Sequence, residues 1–331
     1  MSSVPFTKGR PAPGAPDPSR FRMLRSELRD WRLLDIAAYL ASWIAGIVLA
    51  LTAFSLLAFL AYKGLSYLSL ELVVSRPQPG ADQSQTGGIL DPIIGTLMMV
   101  TIGVAVATPL AVGAALWVVE FGQPSWLARS VESAIEIVAG MPSIVIAIFG
   151  LALTQESLFA PLSFTAEGGA VFGRSFINAG VAMSLIALPL IFSATREALL
   201  TVPAHMREAA YALGKTKGST IRSVLLPSVK SNIGTGMALG MGRIAGDTAI
   251  VVILLGATLK MQPIETGLPG LDVLRGTGST LTSYVYNNSP AGEGNAADKA
   301  YAAGFVLLLI VLILNFAVSA VLKRNADGPA K

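Results

Sequence analysis

Between Asp35 and Lys63 the chain carries no charged residue, and an apolar run from Ile36 to Ala61 fills nearly all of that gap. A helix rises about 1.5 Å per residue, so about 20 apolar residues cross the roughly 30 Å hydrocarbon core of a bilayer. The run is too long for the apolar part of a signal peptide and has no small-residue cleavage site after it. It therefore reads as a first transmembrane helix, residues 36–61. Further spans are expected at about Ile93–Val119, Ala134–Leu153, Ala179–Thr195, Ile233–Gly256 and Ala300–Leu322. Only 13% of the 331 residues are charged, against about 25% in a soluble domain. Most of the chain thus has no water to face. The expected fold class is an all-α integral membrane protein with six transmembrane helices.

Residues 1–35 read as a tail, disordered where Pro, Gly, Ser and Ala dominate and then a basic interfacial helix through Arg22, Arg25, Arg29 and Arg32. Pro109, Pro142 and Pro189 fall inside the expected second, third and fourth spans. A proline there frees a carbonyl that only neighbouring helices or water can satisfy, so these helices must bundle. With both termini cytoplasmic, the inner segments hold 17 Lys and Arg and the outer segments 6, which sets the expected orientation. The chain has no cysteine and one histidine, His205. That excludes disulfides and thiolate zinc sites and argues against histidine-based metal clusters and triads. No metal site, catalytic residue or nucleic-acid partner is expected.

The inner loop 196–231 is long and basic. Pro203 is placed to open a short helix and Gly214 to close it, and a second short helix is expected from about Ser219 to Leu226, ended by Pro227. Glu208-Ala209-Ala210, three residues, Gly214, nine residues, Val224, one residue, Leu226-Pro227 resembles the EAA motif of ABC importer permeases, with Val224 where the family has Ile. The resemblance implies that Glu208, Ala209, Ala210, Leu213 and Gly214 dock an ATPase subunit. Gly214-Lys215-Thr216 also ends like a phosphate-binding loop, but Ala209 stands where that loop needs its first Gly. The segment moreover lies in a surface helix, not between a strand and a helix. ATP and magnesium are thus expected on a partner, with no cofactor in this chain.

Arg243 and Asp247 lie four residues apart near the middle of the expected fifth span, where each costs roughly 2.5–3.5 kcal/mol. On a helix Gly236, Gly240, Arg243 and Asp247 share a stripe about 60° wide, and a Gly-xxx-Gly pair permits close helix approach. The charges should therefore face protein. They form either an internal ion pair or a cation aimed at an anion in a central path, with Asp247 holding it. Arg suits phosphate because its planar fork pairs bidentately with oxyanions.

The segment Arg243 to Ala249 resembles the Arg-x-x-Gly-Glu-Thr-Ala stretch of phosphate-specific ABC permeases. Gly88-Ile89 with Gly95-Thr96-Leu97, and Gly140 to Val145, are similar to the same family, nearer its PstA type. Asp247 stands where that family has Glu, and Ile250 where the PstA type has Pro. The resemblance implies a type I ABC importer permease, with residues 88–322 as its transmembrane domain. It also implies a PstC-type permease partner, an ATPase dimer and an extracytoplasmic phosphate-binding protein in a bacterial inner membrane. Arg243, Asp247, Thr248 and Ser143 would line the substrate path. Thr96 is a further candidate for the path, but taken alone Ser143 and Thr96 read first as hydroxyls bonded to their own helix backbone, and His205 as a polar residue of the docking helix. The outer loop 257–299 either seats the binding protein or simply connects. The rival readings are a permease for sulfate, molybdate or phosphonate, an ATP-independent channel or carrier, and a membrane scaffold.

Overall fold

The computed structural model describes residues 33–78, 87–122, 124–163, 173–256, 258, 271–292 and 296–324. The basic tail expected over residues 1–32 lies outside them. All elements among the described residues are helical. The chain divides into two bodies, one ending at Phe59 and one beginning at Leu60.

The first body is the leading part of helix α1 (Leu33–Tyr67). It is apolar all round, and Trp43, Leu49 and Phe54 stand exposed. A helix with no polar face is made for lipid or for protein within lipid.

The second body is built around one helix. It contains α2 (Leu70–Val74), α3 (Leu90–Leu116), α4 (Ser125–Gly140), α5 (Ser143–Thr154), α6 (Phe176–Thr201), α7 (Ala204–Ala212), α8 (Lys217–Thr220), α9 (Leu226–Gly246), α10 (Leu271–Arg275), α11 (Leu281–Asn288) and α12 (Ala297–Arg324). Helix α6 is the axis: α3 and α9 pack along it, and α12 packs on α9. Lipid tails are as apolar as leucine, so close packing rather than the hydrophobic effect joins such helices. Small residues make it possible. A methyl on Gly180 of α6 would collide with the Ile102 side chain of α3, and one on Gly236 of α9 would lie 2.9 Å from Ile191 Cα of α6. The Gly236 and Gly240 face therefore meets protein, but Arg243, expected on the same protein-facing stripe, is exposed.

Two expected spans are not continuous. The third bends by 105° between α4 and α5. Pro142 has no N–H to continue the ladder, and Met141 before it is extended at φ −73, ψ 134. The fifth ends at Gly246; Asp247 is extended, and a separate wide turn follows over Val251–Leu255. Among the described residues four helices are long and apolar enough to cross a membrane, or five if the bent pair is one span. Helix α9 is not among them; Ser228, Ser231, Asn232 and Thr235 make it too polar. Pro109 and Pro189 do lie inside α3 and α6. The second short helix also differs from expectation. Residues 217–225 run on directly into α9, so Pro227, in the first turn of α9, does not end a helix.

Candidate functional site

The expected path residues gather at the two helix breaks. Ser143 opens α5 directly after the Met141–Pro142 bend and is half-buried. Asp247 and Thr248 form the break after α9, also half-buried. The continuations of the two breaks, α5 and the turn Val251–Leu255, pack on one another, with Gly150 beside Leu254. Broken helices leave backbone N–H and C=O groups without intrahelical partners, which at membrane depth is tolerated only inside protein or beside water.

Asp247 is not the counter-ion of Arg243. Its Oδ1 accepts the N–H of Ile250 at 3.0 Å, the bond an N-cap makes to the third residue of the turn it opens. Val252 N–H then donates to Thr248 O at 2.9 Å. Of the two readings, the internal Arg243–Asp247 ion pair on one helix fails, because the helix ends at Gly246 and Asp247 is extended.

Arg243 has no hydrogen bond or ion pair among the described residues, and it is exposed. It sits in the last turn of α9, where a cation is favoured by the helix dipole by about 0.3–1 kcal/mol. Helical spacing puts it on the edge of an open stripe of α9 formed by Ser228, Ser231, Asn232, Thr235, Leu239 and Gly246. Four of those six side chains are polar, so the face suits water or a protein partner rather than lipid. Sequence reasoning missed this stripe, although the spacing 228, 231, 232, 235 in a span is itself a signal.

The start of α11 closes over the break. Thr282 Oγ1 donates to Asp247 O at 3.4 Å and shares a 2.7 Å bond with Thr280 Oγ1. Thr96 donates to Pro92 O at 2.8 Å in its own helix and accepts from Leu281 N–H at 2.9 Å. Thr96 thus satisfies its own helix and pins α11 at the same time. The described part of the loop expected over 257–299 is folded into α10 and α11; residues 257, 259–270 and 293–295 lie outside the described ones.

At the other end of the bundle α7 presents the expected docking residues. Glu208, Ala209, Leu213 and Gly214 are exposed, Leu213 to 81%, while Ala210 is buried against the body. Gly214 adopts φ +76, and its neighbour Lys215 donates N–H to Ala210 O at 3.1 Å, closing the helix. His205 is exposed on the same helix.

Beneath this knob lies a buried ion pair that sequence reasoning did not identify. Arg207 Nε donates to Glu120 Oε1 at 3.0 Å, with the two side chains 20% and 7% exposed. Its Nη1 and Nη2 donate to Val202 O at 2.8 Å and Leu199 O at 3.0 Å, the last carbonyls of α6. A second pair, Arg196 with Glu132, borders a cavity of about 230 Å³ also lined by Glu136, Glu197 and Pro189.

Residues 107–327 match the family of binding-protein-dependent transport system inner membrane components. A phosphate transport system permease protein PstC of Xylella fastidiosa strain 9a5c is 32% identical over 244 residues, covering 70% of this chain and 71% of that one. A phosphate transport system permease protein PstA 1 of Mycobacterium tuberculosis strain CDC 1551 is 29% identical over 233 residues, covering 70% of each. A solved bacterial alginate ABC transporter in complex with an alginate-bound periplasmic protein shares the fold. Its matching chain gives a TM-score of 0.59 at 15% identity, over 93% of this chain and all of that one. With a family model matching two thirds of its length, this chain belongs to the binding-protein-dependent transport system inner membrane components, the permeases of ABC importers.

Proposed function

We propose that this chain is a permease subunit of an ATP-driven importer of inorganic phosphate, and that it supplies one side of the path across the membrane. The observation that carries the reading is Arg243: a guanidinium in the last turn of α9, exposed, unpaired among the described residues, and bordering a polar face. A fixed cation without a counter-ion is costly unless an anion arrives, and its fork matches a phosphate oxyanion. Similarity to phosphate permeases of both subunit types supports the same cargo. The open polar stripe of α9 would be covered by a second permease subunit of PstC type, the path running between them. Asp247, Thr248 and Ser143 line it at the two helix breaks.

Helix α7 docks an ATPase subunit through Glu208, Ala209, Ala210, Leu213 and Gly214, so its end of the bundle faces the cytoplasm, as do both termini. ATP and magnesium bind the ATPase dimer. The opposite end, with α10 and α11, receives an extracytoplasmic phosphate-binding protein. Residues 36–61 form the first transmembrane helix and 88–322 the importer domain, with loop 196–231 as its coupling part.

The test is ATP-dependent uptake of labelled phosphate by the complete complex in proteoliposomes, with sulfate, molybdate and a phosphonate as competitors. The reading expects phosphate to be carried and the others to compete at least tenfold less well, a difference of about 1.4 kcal/mol in binding. Preferential uptake of another oxyanion would move the cargo and leave the permease. Uptake by this chain without any ATPase would overturn the reading.

A further inference from the structure

Helix α7 has two faces with different partners. Glu208, Ala209 and Leu213 point outward, while Arg207 and Ala210 point into the body. Helix α7 follows α6 after only two residues, Val202 and Pro203, so its motion is passed to α6 by the chain itself. No such covalent link joins it to α3, which continues beyond Leu116 as a single wide turn, Trp117–Phe121. Two side-chain contacts do so instead. Arg207 holds Glu120, and Lys217, just beyond Gly214, lies over the Phe121 ring at 4.3 Å. The motif that docks is thus flanked by two cations that clasp adjacent residues of one helix end.

The chemistry of Glu120 makes this a specific arrangement. A carboxylate at a helix C-terminus faces the negative end of the dipole, and this one is 93% removed from solvent by its side-chain exposure of 7%. Among the described residues its hydrogen-bond and ion-pair partner is Arg207. Arg207 in turn spends its other two N–H groups on the end of α6. One guanidinium therefore ties together α7, the end of α6 and the end of α3. At the far end of α3, Thr96 holds Leu281 over the break at Asp247, so α3 runs from the docking end to the closing segment.

We propose that the Arg207–Glu120 pair is the mechanical link by which motion of the docking helix reaches α3, making Arg207 and Glu120 positioning residues for transport rather than contacts of the substrate. This rests on the docking of an ATPase at α7 argued above. Without the pair, α7 still moves α6, but α3 follows only through its packing on α6, and ATP hydrolysis runs without a matching opening of the path.

The experiment uses the complete complex in proteoliposomes and reads ATP hydrolysis and oxyanion uptake side by side. Glu120→Gln removes the charge, keeps the shape and leaves Arg207 on the α6 carbonyls. It is expected to keep ATPase association and hydrolysis within about twofold while uptake per ATP falls about tenfold, a typical coupling effect. Glu120→Asp keeps the charge and is expected to recover most of the ratio. An unchanged ratio in Glu120→Gln overturns the proposal, as does a parallel loss of hydrolysis and uptake, or loss of the ATPase from the complex, since those mark a structural role. The docking and cargo readings are judged on the unmodified complex alone: failure to bind the ATPase sinks the first, and transport of a different oxyanion, with which the ratio is then read, sinks the second.

Discussion

Asp247 and Ile250 act as a unit. The carboxylate takes the Ile250 N–H at 3.0 Å, which requires a short acid at 247 and a residue with an N–H at 250. Glutamate is a poor cap, and proline has no N–H to give. The two departures from the phosphate-permease pattern are therefore one structural choice. Asp247→Ala should destabilise the purified chain by about 1 kcal/mol, and Asp247→Asn by only a few tenths, read from thermal unfolding in detergent. Ile250→Pro should be costly in the native background and cheaper once Asp247→Ala is present; additive effects would contradict the cap. Gly214 is a second position where conformation decides. Its φ of +76 has open space around it, so Gly214→Ala tests backbone strain alone, about 1–2 kcal/mol. That strain should loosen the end of α7 and weaken co-purification with the ATPase.

Helices differ in how much of them can be read from residues. The long apolar runs announced α1, α3, α6 and α12, because crossing lipid demands length and composition, which hydropathy measures directly. The breaks at Met141–Pro142 and Asp247 were not legible in that way, since hydropathy does not register where φ and ψ leave the helical region. Pro142 carried a signal of its own; Asp247 read as a charge to be neutralised when its role is to cap. The glycines of α9 were legible as a packing face, whereas the polar stripe beside them went unread. The packing itself is testable: Gly180→Leu must push Ile102 of α3 aside. It should lower stability by about 1–3 kcal/mol, the usual cost of overpacking, with Gly242→Leu as a control where only Val311 lies within 4.0 Å. Equal effects at both sites would argue that α3 and α6 do not need their close approach.

At the scale of the molecule, the structure places the exposed helix α7 at one end, two broken helices within the bundle and the folded segment of α11 over one break. The docking motif was legible because its residues lie within one short stretch. The Arg207–Glu120 link was not, because its partners stand 87 residues apart and nothing in either segment alone pairs them. The same holds for Thr96 and Leu281, 185 residues apart. Local pattern thus identifies the motif proposed to dock, while contacts between distant segments are set by the tertiary fold. The whole account turns on an uncompensated cation facing the path, and the direct measurement is phosphate uptake by the complete complex carrying Arg243→Ala or Arg243→Lys, with assembly checked by co-purification. The account predicts assembly intact, uptake reduced at least tenfold in Arg243→Ala, and partial uptake in Arg243→Lys, which keeps the charge but loses the fork. Normal uptake by Arg243→Ala in an intact complex would contradict it.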